Sequence, residues 1–270
     1  MEQAVEYFAV FGGLGTKVDT SVPLVEAVEH HLWKHYAALH AHVVRSTGGD
    51  AAVHALLSGI ATGDGRMHSA FKRARLSEAD GTALLESLCK SGIIERQSAP
   101  VQSRSWIEEN RVDDRLRFTS PFLRFWFAFV SPIFKGIRDG DFAEAKTRFE
   151  NRWQEFVELP FRELSMELLK SGFDEDPVVE IGSYWDANVE IDILAKTASG
   201  TVIAAACKHG GAKLKKSELT RLREKCAQAR IDPDICVLVA RGGFSNELKS
   251  LKGGTLRLLG IRNFKSLLQT

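Results

Sequence analysis

After Gly172 the hydrophobic pattern of the chain changes period, and this change most constrains its fold. Upstream, apolar residues recur at helical spacing. Downstream, short β-rich runs take over: Val178–Gly182, Val189–Lys196, Thr201–Lys208, Ile235–Ala240 and Leu256–Ile261. Strict alternation of polar and apolar residues marks a strand with one face buried. Glu190-Ile191-Asp192-Ile193-Leu194 alternates in this way. Ala198-Ser199-Gly200 between two runs is a hairpin signal. Helical stretches at Lys216–Ala229 and Phe244–Leu251 separate the later runs. The pattern predicts an α/β domain in which a helix precedes a small mixed sheet.

The upstream part is helical. Glu2–Phe11 reads as a helix, broken by Gly12, Gly13 and Gly15. A phosphate loop needs Gly, Lys and Ser/Thr in fixed order, and Gly15-Thr16-Lys17-Val18 lacks that order, so a turn is expected. Leu24–His42 reads as one helix carrying His30, His31, His35, His40 and His42. His31 and His35 stand four apart, the spacing for a shared metal, but no carboxylate or cysteine partner is near in sequence. Three helices then follow in Val53–Ala61, Met67–Ala74 and Glu78–Ser91. Ser77 and Asp80 supply a cap and an acidic first turn for the third, and Gly92 closes it. Strands at Ile93–Arg96 and Arg115–Thr119 complete the order of a winged helix-turn-helix. Pro121–Lys170 is helical again, with a turn at Asp139-Gly140-Asp141 and an interruption or restart at Pro160. Its aromatic set Phe122, Phe125, Trp126, Phe127 and Phe129 is expected at the interface of the two halves. An exposed stacking platform would interleave aromatics with polar residues instead.

A chain of 270 residues, 44% apolar, is long enough for two domains and too apolar to be disordered. Lys and Arg total 36 against 35 Asp and Glu, a net charge of +1. That sum excludes a histone-like protein but conceals local charge. Arg66, Lys72, Arg73 and Arg75 form a run with no acid. Lys208, Lys213, Lys215, Lys216, Arg221, Arg223 and Lys225 stand against only Glu218 and Glu224. Such clusters suit phosphate contacts, and acid-rich stretches such as Phe173–Asp176 and Glu108–Asp114 balance them. Cys89, Cys207, Cys226 and Cys236 show no CxxC spacing and are expected as free thiols. The start Met1-Glu2-Gln3 lacks the pattern of a signal peptide, and Phe122–Phe134 is too short for a span. A cytoplasmic location without membrane contact is expected.

Period two places Glu190 and Asp192 on one face of their strand, and Ala204, Ala206 and Lys208 on one face of the next. A carboxylate beside a lysine at a strand end suits divalent-metal phosphodiester chemistry. The ordinary reading of such a pair is an edge-strand charge pair of little energetic weight.

At these residues the chain resembles the PD-(D/E)XK restriction-endonuclease-like superfamily. Glu180-Ile181-Gly182-Ser183-Tyr184-Trp185, Glu190-Ile191-Asp192, Ala206-Cys207-Lys208 and Thr119–Phe127 are similar to the C-terminal region of archaeal-type ATPases, domain-of-unknown-function family 234. The resemblance runs over about residues 50–260 and implies a winged helix before a nuclease-like domain. The ATPase part that precedes these regions in that family has no counterpart here. The implied fold class is α+β / α/β: an N-terminal all-α winged-helix region, then a restriction-endonuclease-like mixed sheet flanked by helices. The implied segments are 1–50 helical, 51–120 winged helix, 121–158 helical connector and 159–270 nuclease-like.

Carried over, the motif makes Asp192 the metal ligand and Lys208 the motif lysine, with Mg²⁺ or Mn²⁺ as cofactor. The second acid position holds Ala206, whose methyl coordinates nothing. Arg162 stands where the preceding helix supplies another acid, and Glu163 follows about 100° round an ideal helix. Glu180 or Glu190 would substitute only if the fold aims them at Asp192. Either the domain is a degenerate nuclease that binds DNA, or Ala206 is an inactivating substitution. The expected partner is duplex DNA, contacted by Arg66, Lys72, Arg73, Arg75, Lys213, Lys215, Lys216 and Arg221. The rival expectation is a protein-interaction module, without catalysis, that docks on a separate ATPase or another partner or self-associates.

Overall fold

The computed structural model describes residues 3–97, 114–186 and 188–268. They fall into two compact units, a helical one of 6–97 with 114–156 and a sheet-bearing one of 157–268 with 3–5. The polar stretch between the two upstream strands, including all of the Glu108–Asp114 run except Asp114, lies outside the described residues.

The helical unit begins with α1 (Ala4–Phe11) and the glycine turn, where Gly13 takes φ +85°. Leu24–His42, expected as one helix, is instead α2 (Leu24–Val28), a π-helical turn at Glu29–Trp33 and α3 (Tyr36–Thr47). The wider turn admits an extra residue, which brings both Leu32 and Trp33 to the buried side. α4 (Ala51–Thr62), α5 (Met67–Ala74) and α6 (Glu78–Lys90) follow, then β1 (Ile94–Gln97) and β2 (Arg115–Phe118) as an antiparallel pair. Asp50 caps α4 by accepting from Ala52 N and Val53 N, and Ser77 caps α6 by accepting from Asp80 N. α5 and α6 meet closely. A Cβ at Gly81 would lie 2.6 Å from the Phe71 ring, so only glycine fits there.

α7 (Pro121–Phe125) continues into a second π-helical turn, Trp126–Val130, all of whose residues are buried. Phe122, Phe125, Trp126, Phe127 and Phe129 are each at most 2% exposed. Their ring neighbours include Tyr36, His54, Phe118, Phe149 and Phe156, so they build the core of the helical unit itself. This burial excludes a stacking platform and leaves none of these rings for a docking partner.

After α8 (Phe134–Arg138) and the turn at Gly140, α9 runs unbroken from Ala143 to Lys170 with Pro160 inside. The expected interruption at Pro160 is absent. A helical proline leaves the carbonyl four residues back without its backbone donor. Here that carbonyl belongs to Phe156, and Arg124 Nη1 donates to it at 2.9 Å while its guanidinium stacks 4.0 Å from the Phe156 ring centroid.

The sheet has the order β3 (Val178–Trp185), β4 (Glu190–Thr197), β5 (Val202–Lys208), β6 (Ile235–Ala240), β7 (Leu256–Gly260). β3–β4–β5 are antiparallel and β5–β6–β7 parallel, so the sheet is mixed and flanked by helices. The β4–β5 hairpin turns at Ser199 and Gly200, with Gly200 at φ +94°. Asp176 fixes that turn by accepting from Ser199 N and Oγ at 2.9 and 2.6 Å. α10 (Lys216–Gln228) joins β5 to β6, and α11 (Asn246–Ser250) joins β6 to β7. Leu219, Leu222 and Cys226 of α10 pack on Ala204, Cys236, Leu238 and Leu256 of one sheet face.

Candidate functional site

The β3–β4 register slips by one residue between Gly182↔Leu194 and Tyr184↔Ile191. Ser183 therefore faces both Asp192 and Ile193, a β-bulge, and its Oγ donates to the Asp192 carbonyl at 2.9 Å. A bulge re-aims the side chains around it. Ile191 joins the cluster under α10, together with Tyr184. The Asp192 carboxylate turns to β5, where Oδ2 accepts from Cys207 N at 2.8 Å. The last paired residues of β4 and β5 are Ile193 and Ala205. Asp192 thus takes the role of a ladder carbonyl at the point where the two strands part.

The second half of α9 brings its own groups to this point. Arg162 Nη1 lies 3.0 Å from Glu190 Oε1, with the guanidinium largely buried and the carboxylate about two-fifths exposed. At that exposure the pair is worth about 1 kcal/mol or less. Ser165 Oγ donates to the Phe161 carbonyl at 2.7 Å, and Glu158 accepts from His209 N at 3.1 Å. Cys207 is buried beside these groups. Burial, and after it the Asp192 charge, pushes its thiol far above the ordinary range, so it stays protonated. His209, fully buried against Phe161, is held down at about 4 by burial and then by Arg241, so it is neutral near pH 7.

The expected site residues separate in this geometry. Glu190 goes to Arg162 and Asp192 to a backbone amide. Glu180 pairs across β3–β4 with Lys196, four residues beyond Asp192, roughly 13 Å at the strand rise. Lys208 ends β5 exposed, opposite Ala240 of β6, and makes no ion pair among the described residues. No group of three His, Cys, Asp or Glu side chains among the described residues is placed to hold a metal ion. With Ala206 at the second acid position, this donor set does not fit a Mg²⁺ or Mn²⁺ ion, which takes several oxygens. The His31–His35 pair fares no better: His31 lies against the His30 ring at 4.8 Å, and burial lowers its pKa.

The basic residues divide too. Arg66 lies 3.8 Å from Asp64, and Arg73 donates to the Thr62 carbonyl at 3.1 Å. Lys72 and Arg75 are exposed, Arg75 with φ +57° at the end of α5. Lys213, Lys215 and Lys216 are exposed, while Arg221 pairs with Glu218 at 2.9 Å. Lys216 lies 3.5 Å from Glu247. The sequence reading missed Arg241 as a neighbour of these lysines. It missed the Arg162–Glu190 pair as well, although their opposite charges were visible.

The architecture so far is that of an α+β protein with N-terminal helices and a mixed five-stranded sheet. Residues 126–222 match the model of domain-of-unknown-function family 234, described as archaea bacterial proteins of unknown function. The match runs from the second π-helical turn through the bulge and Lys208 into α10. No curated protein and no solved structure matches the chain. No helix among the described residues is long and apolar enough to cross a membrane.

Proposed function

We propose that this chain is a duplex-DNA-binding protein with a winged helix and a restriction-endonuclease-like domain whose nuclease site has lost its metal. One observation carries the reading: the carboxylates that would hold a divalent ion are turned to separate partners or set apart, and no three such side chains converge among the described residues. Arg162 puts a fixed guanidinium where the resembled family places an acid, and it takes Glu190 as its partner. Asp192 serves the β5 backbone, and Ala206 offers no oxygen. The exposed lysines at 208, 213, 215 and 216 remain, and they suit phosphate contacts that need no metal.

The test is an electrophoretic shift of duplex DNA across a salt series, with plasmid cleavage assayed in Mg²⁺ and Mn²⁺. Salt-sensitive binding without cleavage is expected. Absence of binding at low salt overturns the DNA reading. Cleavage that Asp192→Ala abolishes overturns the loss of the metal.

A second reading draws on α6. As the third helix of a winged helix it would face DNA, yet Glu78, Asp80 and Glu86 are on its exposed side. An acidic face suits a basic protein partner better than a phosphate backbone. Binding to a protein with no affinity for DNA would favour this reading.

A further inference from the structure

The parallel pairing of β5 and β6 has a consequence at their carboxyl ends. Lys208 and Ala240 are Cα partners, so the loops that follow the two strands leave the sheet side by side. Arg241 N donates to the Lys208 carbonyl at 3.1 Å. Farther on, Leu214 N donates to the Gly243 carbonyl and Ser245 N to the Leu214 carbonyl, each at 2.9 Å. Between these bonds the backbones touch. A Cβ at Gly242 would lie 2.5 Å from the carbonyl oxygens of both Gly211 and Ala212. Residues 208–216 and 241–245 therefore form one cross-braced platform rather than two independent loops.

The platform carries cations from both sequence segments. Lys208, Lys213, Lys215 and Lys216 are exposed on the first, and Arg241 is half-buried on the second. The acids next to it include Glu247, 3.5 Å from Lys216, Glu218, paired with Arg221 at 2.9 Å, Glu158, which accepts from His209 N, and Asp192, which accepts from Cys207 N. We infer that this platform, and not the basic helix α5, is the surface that holds the phosphodiester backbone of duplex DNA. The inference rests on the DNA-binding reading and assigns that reading a place. With the backbone already braced, only the lysine side chains must order against a polyanion, and each phosphate neutralised releases counterions.

The experiment is fluorescence anisotropy of a labelled duplex with the full chain over a salt series. It compares the parent with Lys213→Ala/Lys215→Ala and with Lys72→Ala/Arg75→Ala, which remove equal charge. Both exchanges lie on exposed side chains, and circular dichroism checks that folding is unchanged. The platform variant is expected to lower the slope of log K against log salt by about 2, one unit or slightly less per lost phosphate contact. The α5 variant should keep the parent slope. Gly242→Ala, which removes no charge, should also weaken binding at least several-fold by forcing the loops apart. If the parent binds and the platform variant binds as well as it does, the platform is wrong and the DNA reading stands. If the parent does not bind at low salt, both fall.

Discussion

The two basic regions of the chain look alike in sequence and differ in structure. Around α5, Arg66 leans on Asp64, and Arg73 is bonded to the Thr62 carbonyl that Arg152 also reaches at 3.2 Å. The neighbouring α6 adds exposed acids. At the ends of β5 and β6, four exposed lysines stand on backbone braced by a second loop, which contributes Arg241, and of these four only Lys216 is ion-paired among the described residues, 3.5 Å from Glu247. The difference is one of availability. Arg73 of α5 is tied to the end of α4, and only Lys72 and Arg75 there stay exposed and unpaired, whereas Lys208, Lys213 and Lys215 all stand exposed and unpaired among the described residues on backbone held by the second loop.

The largest expected effect breaks the α5 side. Gly81→Val drives a side chain into the Phe71 ring and should cost about 3 kcal/mol or more, read as a lowered urea midpoint. A mild effect would mean that α5 is not held against α6 as described. Next is the acid response of the sheet-bearing unit. His209 has a folded pKa of about 4, below its unfolded value near 6.5, so the unfolded chain binds the proton first. Its contribution is full above pH 6.5 and declines as pH falls to about 4, a loss of at most about 3 kcal/mol. His31 and His54, also lowered by burial, act with the same sign in the helical unit. His209→Leu should flatten the stability profile in that window, and an unchanged profile would place the titration elsewhere.

Smaller effects sharpen the comparison. Arg162→Ala removes the partner of Glu190 and should cost about 1 kcal/mol, because the pair is partly screened. Thermal unfolding checks it. Arg75→Gly relieves a left-handed residue at the end of α5 and should stabilise by about 0.5 kcal/mol. It also removes a cation, so unchanged DNA affinity in that variant would set α5 apart from the platform.

The elements themselves were legible wherever a local signal decided them. Met67–Ala74 and Ile235–Ala240 appear with the bounds their periodicity predicts. The departures came from groups distant in sequence. Pro160 stays inside a helix because Arg124, 36 positions earlier, satisfies the orphaned carbonyl. The strand containing Asp192 carries its bulge because β3 pairs out of step, and nothing in its own alternation shows that. Arg162 was visible as a missing acid, but its partnership with Glu190 depends on how α9 crosses the sheet. Arg241 joins the lysines only through the parallel register of β5 and β6.

The most direct test of the central claim is isothermal titration calorimetry of Mn²⁺ into the full chain near pH 7. With Asp192 on a backbone amide, Glu190 on Arg162 and a methyl at 206, the account predicts no saturable binding up to about 1 mM, the weak end of protein sites for hard cations. Saturable binding that disappears in Asp192→Ala would contradict it, because Asp192 would then still hold a metal.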